Sequence, residues 1–152
     1  MANVDPKAYE RSFFSSLEDI ALICDWLEKL LTELSISSTK VFHSQLCVQE
    51  ILSNIYEYGC PYYEDNQGQG STTSHVCKIT LTVKLSSDRL IIVIVDDSRP
   101  YNLLETKIKL IDKKLETAVP GGHGIRLIKK YADNINYCYK DNENQITLEF
   151  IL

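Results

Sequence analysis

Between Val76 and Val95 the chain carries two different β-patterns back to back, and that pair restricts the folds open to it. Ile79, Leu81, Val83 and Leu85 alternate with Lys78, Thr80, Thr82 and Lys84, the period of a strand with one buried face. Ser86, Ser87 and Asp88 make a short turn. Arg89 to Val95 is then a β-branched run that fits a central strand. Strands this close in sequence pair as an antiparallel hairpin. A lone hairpin is marginal in water, so its apolar face needs further strands and a covering layer.

Amphipathic helices ahead of the hairpin can supply that layer. Ile20, Ile23, Leu27, Leu30, Leu31 and Leu34 recur at three- and four-residue spacing and predict a helix over 17–34. Ser15 and Ser16 offer caps, with Glu18 placed as in a capping box, and Arg11 to Ser15 fits a short edge strand. Ser35 to Ser38 breaks the pattern. A second helix is expected from Thr39 to Tyr58, ended by Gly59 and Pro61, and the polar stretch Cys60–His75 reads as a loop. After the hairpin come a polar turn at Asp96–Asn102 and a Lys-rich segment at Leu103–Pro120. A glycine cluster at 121–124 and a helix over Ile125–Ala132 follow. Ile135–Tyr139 and Gln145–Leu152 make a last hairpin around Asp141-Asn142-Glu143-Asn144. That order predicts an α+β two-layer sandwich, its antiparallel or mixed sheet covered on one face by helices. The chain has 152 residues and no internal repeat, so a single domain over 1–152 is expected.

Composition removes several function classes. Sixteen basic against twenty-one acidic residues leave a net charge of −5, which disfavours direct nucleic-acid binding. The longest apolar run, Leu90 to Val95, is too short to span a membrane, and Met1–Glu10 has no apolar signal core. A cytoplasmic location with no membrane partner is the expectation. The five cysteines are widely spaced with no Cys-x-x-Cys pair, so neither a zinc site nor a disulfide framework is expected. Cys24 and Cys47 fall in helical patterns and read as small core residues.

Three polar constellations interrupt this plan. Glu50, Asn54 and Tyr58 share one helical face at four-residue spacing: a solvated stripe, or a carboxylate base beside an amide oxygen suited to Mg²⁺. Asp96, directly after the apolar strand, is either a turn former or an acceptor for a base edge. Gly121-Gly122-His123-Gly124 opens a helix, either as a flexible lead-in or as a phosphate cradle of backbone N–H groups. It is neither a Walker A loop, since the Lys-Ser/Thr pair is missing, nor a Rossmann fingerprint, since no βαβ unit surrounds it.

In this order the three stretches resemble the N box, G1 box and G2 box of the GHKL (histidine-kinase-like) ATPase superfamily. The match is closest to the anti-sigma-factor serine/threonine kinase family. The residues that carry it are Glu50-Ile51-Leu52-Ser53-Asn54, Asp96-Asp97-Ser98-Arg99-Pro100 and Gly121-Gly122-His123-Gly124-Ile125-Arg126-Leu127. The resemblance implies a Bergerat-type fold with ATP or ADP and Mg²⁺ as cofactors. It implies Glu50 as general base, Asn54 as Mg²⁺ ligand and Asp96 as acceptor from the adenine amino group. Ser98 would lie in the nucleotide-binding turn, Gly121 to Gly124 would cradle the phosphates, and Leu103–Pro120 would be the ATP lid.

It further implies a homodimer that binds a sigma factor or related target and phosphorylates a STAS-domain anti-anti-sigma protein on serine. The alternative is a nucleotide-binding partner switch that transfers no phosphate. A sensor histidine kinase half fits poorly, because no dimerising helix pair with an acceptor histidine precedes the motifs. Two positions depart from the family pattern. Tyr58 stands where His is usual, and Ser98 stands where Gly is usual and would strain the turn if its φ were positive. The 60–75 stretch has the look of an insertion.

Overall fold

The computed structural model describes residues 6–59, 76–105 and 122–152, with backbone alone at 122 and 123. The expected 60–75 loop, the lysines of the expected lid (Lys107, Lys109, Lys113 and Lys114) and Gly121 lie outside those residues. Five strands form one sheet: β1 (Lys7–Phe14), β2 (Lys78–Leu85), β3 (Arg89–Asp96), β4 (Asn134–Lys140) and β5 (Glu143–Ile151). Their order is β1-β2-β3-β5-β4. Every pairing is antiparallel, which decides between the two sheet types that the sequence allowed. Among the described residues the helices are α1 (Leu17–Glu33), α2 (Ser38–Asn54) and α3 (Gly122–Tyr131), with a π-helical turn at Ile55–Gly59 continuing α2.

The hairpin alternation works as written. Ile79, Leu81 and Val83 on β2 and Leu90, Ile92 and Ile94 on β3 are fully buried, and Leu148 and Phe150 on β5 join them. Leu27 and Leu31 from α1, Val48, Ile51 and Leu52 from α2, and Ile125 and Ile128 from α3 close this core from one side. β3 is the central strand of the sheet, as its apolar run predicted, with only one of its faces covered by the described helices. Ile91, Val93 and Val95 are only half-buried, because the helices lie on the opposite face.

Local chemistry sets the helix ends. The N-cap of α1 is Ser16, whose hydroxyl accepts from the Asp19 N–H at 3.1 Å. Ser15, the other candidate, is buried instead, donating its N–H to the Cys77 carbonyl while its hydroxyl accepts from the Cys77 N–H. β1 is therefore longer than the Arg11–Ser15 segment expected. At the C-terminus of α1, Ser35 takes φ 60°, and the N–H groups of Ser35 and Ile36 close on the Thr32 and Leu31 carbonyls. That is a Schellman ending with serine in the usual glycine position.

The second helix does not run as one α-helix to Tyr58. It ends at Asn54 and changes pitch. Asn54 donates its side-chain amide to the Glu50 carbonyl at 2.6 Å, a local bond of the kind that competes with the helix ladder.

Cys24 and Cys47 are buried and free, as expected of core residues, and Cys138 is free and exposed. Burial pushes the Cys24 thiol up to about 11 and the Cys47 thiol up to about 12, so both stay protonated at neutral pH. Cys77 is disulfide-bonded, a correction to the sequence expectation: the absence of a framework spacing does not exclude a single bridge. No helix among the described residues is long and apolar enough to cross a membrane.

Candidate functional site

The inward rows of β3 and β5 are apolar until their last members. Leu90, Ile92 and Ile94 lead to Asp96, while Phe150, Leu148 and Ile146 lead to Asn144. These two polar residues are direct cross-strand partners, 3% and 2% exposed. A carboxylate so placed must be hydrogen-bonded, and three donors converge on one of its oxygens. Asp96 Oδ1 accepts from the Ser98 N–H at 3.0 Å, from the Ser98 hydroxyl, and from Asn144 Nδ2 at 3.1 Å. No described group donates to Oδ2. Burial pushes the Asp96 carboxyl above its ordinary value. The Ser98 and Asn144 donors oppose that shift, and the neighbouring Asp97 charge adds to it.

Asn144 also holds the turn that follows β3. Its Nδ2 reaches the Ser98 carbonyl at 3.2 Å and the Arg99 carbonyl at 2.8 Å, and its Oδ1 accepts from the Tyr101 N–H at 3.0 Å and the Tyr137 hydroxyl at 2.6 Å. Acceptors surround one end of the amide and donors the other, so its orientation is fixed by chemistry. Ser98, 2% exposed, is turned to Asp96, and its backbone is unstrained. The non-glycine residues with positive φ among those described are Ser35, Asp141 and Asn142. Gly59 admits this arrangement, since a Cβ there would come within 2.7 Å of the Ser98 hydroxyl.

Asn54, 3% exposed at the end of α2, joins Asp96, Ser98, Tyr101, Leu103 and Asn144 around a cavity of about 20 Å³. That is room for roughly one water molecule. A nucleobase can enter only if a wall residue yields, and Leu103 lies in the turn beyond β3, outside any strand or helix. Glu50 lies elsewhere. It is half-buried on α2 against α3, where a Cβ on Gly124 would collide with its carboxylate. The structure thus brings Asn54 to Asp96 and Ser98, and Glu50 to Gly124.

Tyr58 does not continue the Glu50–Asn54 stripe. The π-turn puts its ring 6.4 Å from that of Tyr101, and its carbonyl accepts from Arg99 Nε at 3.2 Å. Gly122 begins α3. Gly121 and the His123 side chain lie outside the described residues.

The donor set fits a hard cation brought by a phosphate ligand rather than a protein cage. Among the described residues no group of three or more His, Cys, Asp and Glu could hold a metal. Asn54 donates its amide nitrogen to the Glu50 carbonyl, and a side-chain amide oxygen is of the hard donor type that Mg²⁺ takes.

Sequence reasoning missed Asn144 and its partner Tyr137. The available signal was an Asn standing two residues ahead of Ile146, Leu148 and Phe150, on the same inward period.

The family described as histidine kinase-like ATPase domain matches residues 13–150. The chain is 27% identical over 123 residues to the serine/threonine-protein kinase BtrW of Bordetella bronchiseptica, covering 81% of this chain and 79% of that protein. It superposes on a chain of the SiaB–SiaC complex from Pseudomonas aeruginosa with a TM-score of 0.52 at 12% identity, over 93% of this chain and 89% of that one. The last likeness is one of fold.

Proposed function

The chain belongs to the histidine kinase-like ATPase family, and from that premise we propose that it is an ATP-dependent regulatory protein serine kinase of the anti-sigma-factor type. It binds a sigma factor or related target and phosphorylates a STAS-type antagonist on serine, working as a homodimer in the cytoplasm. The relative that is itself named a serine/threonine-protein kinase supports this reading. One structural observation carries it. A buried carboxylate, Asp96, has three donors on one oxygen and, among the described residues, none on the other, in a cavity shared with Asn54.

On this reading the roles are as follows. Asp96 Oδ2 accepts from the amino group of adenine, whereas the exocyclic carbonyl oxygen that guanine carries at the same position would face it acceptor to acceptor. Backbone N–H groups at the start of α3, around Gly122 and Gly124, meet the phosphates, and Gly121 and His123, their neighbours in sequence, are assigned to the same role. Ser98 keeps Asp96 in place. Asn54 would hold Mg²⁺, which would supply neutralisation of phosphate charge. Glu50 takes the proton of the attacking serine hydroxyl, and its contact with Gly124 keeps it beside the phosphate-binding turn.

The test is transfer of radiolabelled phosphate from ATP to STAS-type proteins encoded in the same genome. Glu50→Gln should keep ATP affinity and lose about a hundredfold or more of the transfer rate. Wild-type protein that binds ATP yet labels none of these candidates would leave the chain a switch without phosphotransfer.

A further inference from the structure

We infer that Asn144 is the positioning residue that makes the Asp96 carboxylate selective for a base bearing an amino group, with the Tyr137 hydroxyl fixing the Asn144 amide in turn. The inference rests on the nucleotide reading above and names a determinant outside the three sequence motifs.

Asn144 bonds to four residues of the recognition turn, Asp96, Ser98, Arg99 and Tyr101. Its nitrogen donates to Asp96 Oδ1 at 3.1 Å, to the Ser98 carbonyl at 3.2 Å and to the Arg99 carbonyl at 2.8 Å. Its oxygen takes the Tyr101 N–H at 3.0 Å, so residues 98 to 101 are pinned to β5 as well as to β3. With Ser98, it directs both side-chain donors of the cluster to Oδ1, which is why Oδ2 remains for a ligand. An amide that could flip would set its oxygen against three acceptors. The Tyr137 hydroxyl, at 2.6 Å on Asn144 Oδ1, supplies a further donor against that flip. Donation from Asn144 also favours the ionised carboxyl, against the burial that disfavours it.

Without Asn144, Asp96 keeps its Ser98 donors but loses the cross-strand restraint, so the carboxylate plane can turn about χ2 and the ligand-facing oxygen no longer holds one direction. The turn loses its anchor at the same time. Selectivity for the amino group should then fall more than binding of the rest of the nucleotide, which the phosphate turn and Asn54 hold independently.

The experiment compares ATP with purine riboside triphosphate, which lacks the amino group, by calorimetry with Mg²⁺ on wild type, Asn144→Ala and Tyr137→Phe. Thermal melts establish that each variant is folded. Wild type should prefer ATP by about tenfold or more, the scale of one hydrogen bond to a charged acceptor. The preference should shrink to about twofold in Asn144→Ala, with affinity for the analogue nearly unchanged, and take an intermediate value in Tyr137→Phe. A folded Asn144→Ala that keeps the full preference, or that weakens both nucleotides equally, overturns the inference and leaves Asn144 purely structural. Should Asn144→Ala fail to fold, an undiminished preference in Tyr137→Phe overturns it equally. Wild type without any preference for ATP would instead contradict the Asp96 role itself, a separate failure.

Discussion

Gly124 shows at single-residue scale how stability and chemistry part company in this site. It lies inside α3, where alanine is the better helix former by about 0.5–1 kcal/mol. A Cβ there would meet the Glu50 carboxylate, the mobile end of a long side chain that can swing aside. Gly124→Ala should therefore melt no lower than wild type while phosphate transfer falls about tenfold or more, because the base leaves its position. Melting curves and transfer rates on the same preparation check this, and unchanged transfer in the folded variant would remove Glu50 from the site. Glu50, Asn54 and Asp96 could be singled out as candidates from the sequence because each stands in a short local pattern. Asn144 could not. Its meaning comes from facing Asp96 across β3 and β5, a partner 48 positions away, and no local spacing encodes that contact.

Elements were legible where periodicity is strong and less so where a turn decides their ends. The last hairpin is the instructive case. A four-residue turn at 141–144 would have started β5 at Gln145 and left Asn144 in the loop. The structure closes the hairpin on two residues, Asp141 and Asn142, at φ 55° and 62°, with Lys140 paired to Glu143. Both positive angles mark the mirror-image turn that matches strand twist, and this tighter closure carries Asn144 into the sheet opposite Asp96. Glycine is the residue that position 142 of such a turn favours most. Asn142→Gly should raise stability by about 0.5 kcal/mol and leave nucleotide affinity unchanged, measured by denaturant unfolding and calorimetry. A destabilised variant would mean that the turn is not of this type. The end of α2 teaches the same lesson. Four-residue spacing correctly stacked Glu50 and Asn54, but it could not show that the pitch changes at Ile55 and carries Tyr58 to Tyr101.

Over the whole molecule, hydrophobic burial and recognition use the same surface. Inward-facing positions of β3 and β5 fill the core for three residues each and then present Asp96 and Asn144 at one end. There the end of α2 adds Asn54, and α3 packs its first turns against Glu50. The apolar rows hold the polar pair in register, since a one-residue slip would turn both to the uncovered face. On the proposed reading, nucleotide binding requires the assembled sheet rather than any one motif, and Asp96 is where that requirement is sharpest. The most direct measurement is calorimetry of Mg²⁺-ATP on wild type and Asp96→Asn, with melts showing that both are folded. Micromolar binding by wild type, lost in Asp96→Asn, is the predicted result. Equal binding by the two proteins, or no binding by wild type at millimolar ATP, would contradict it.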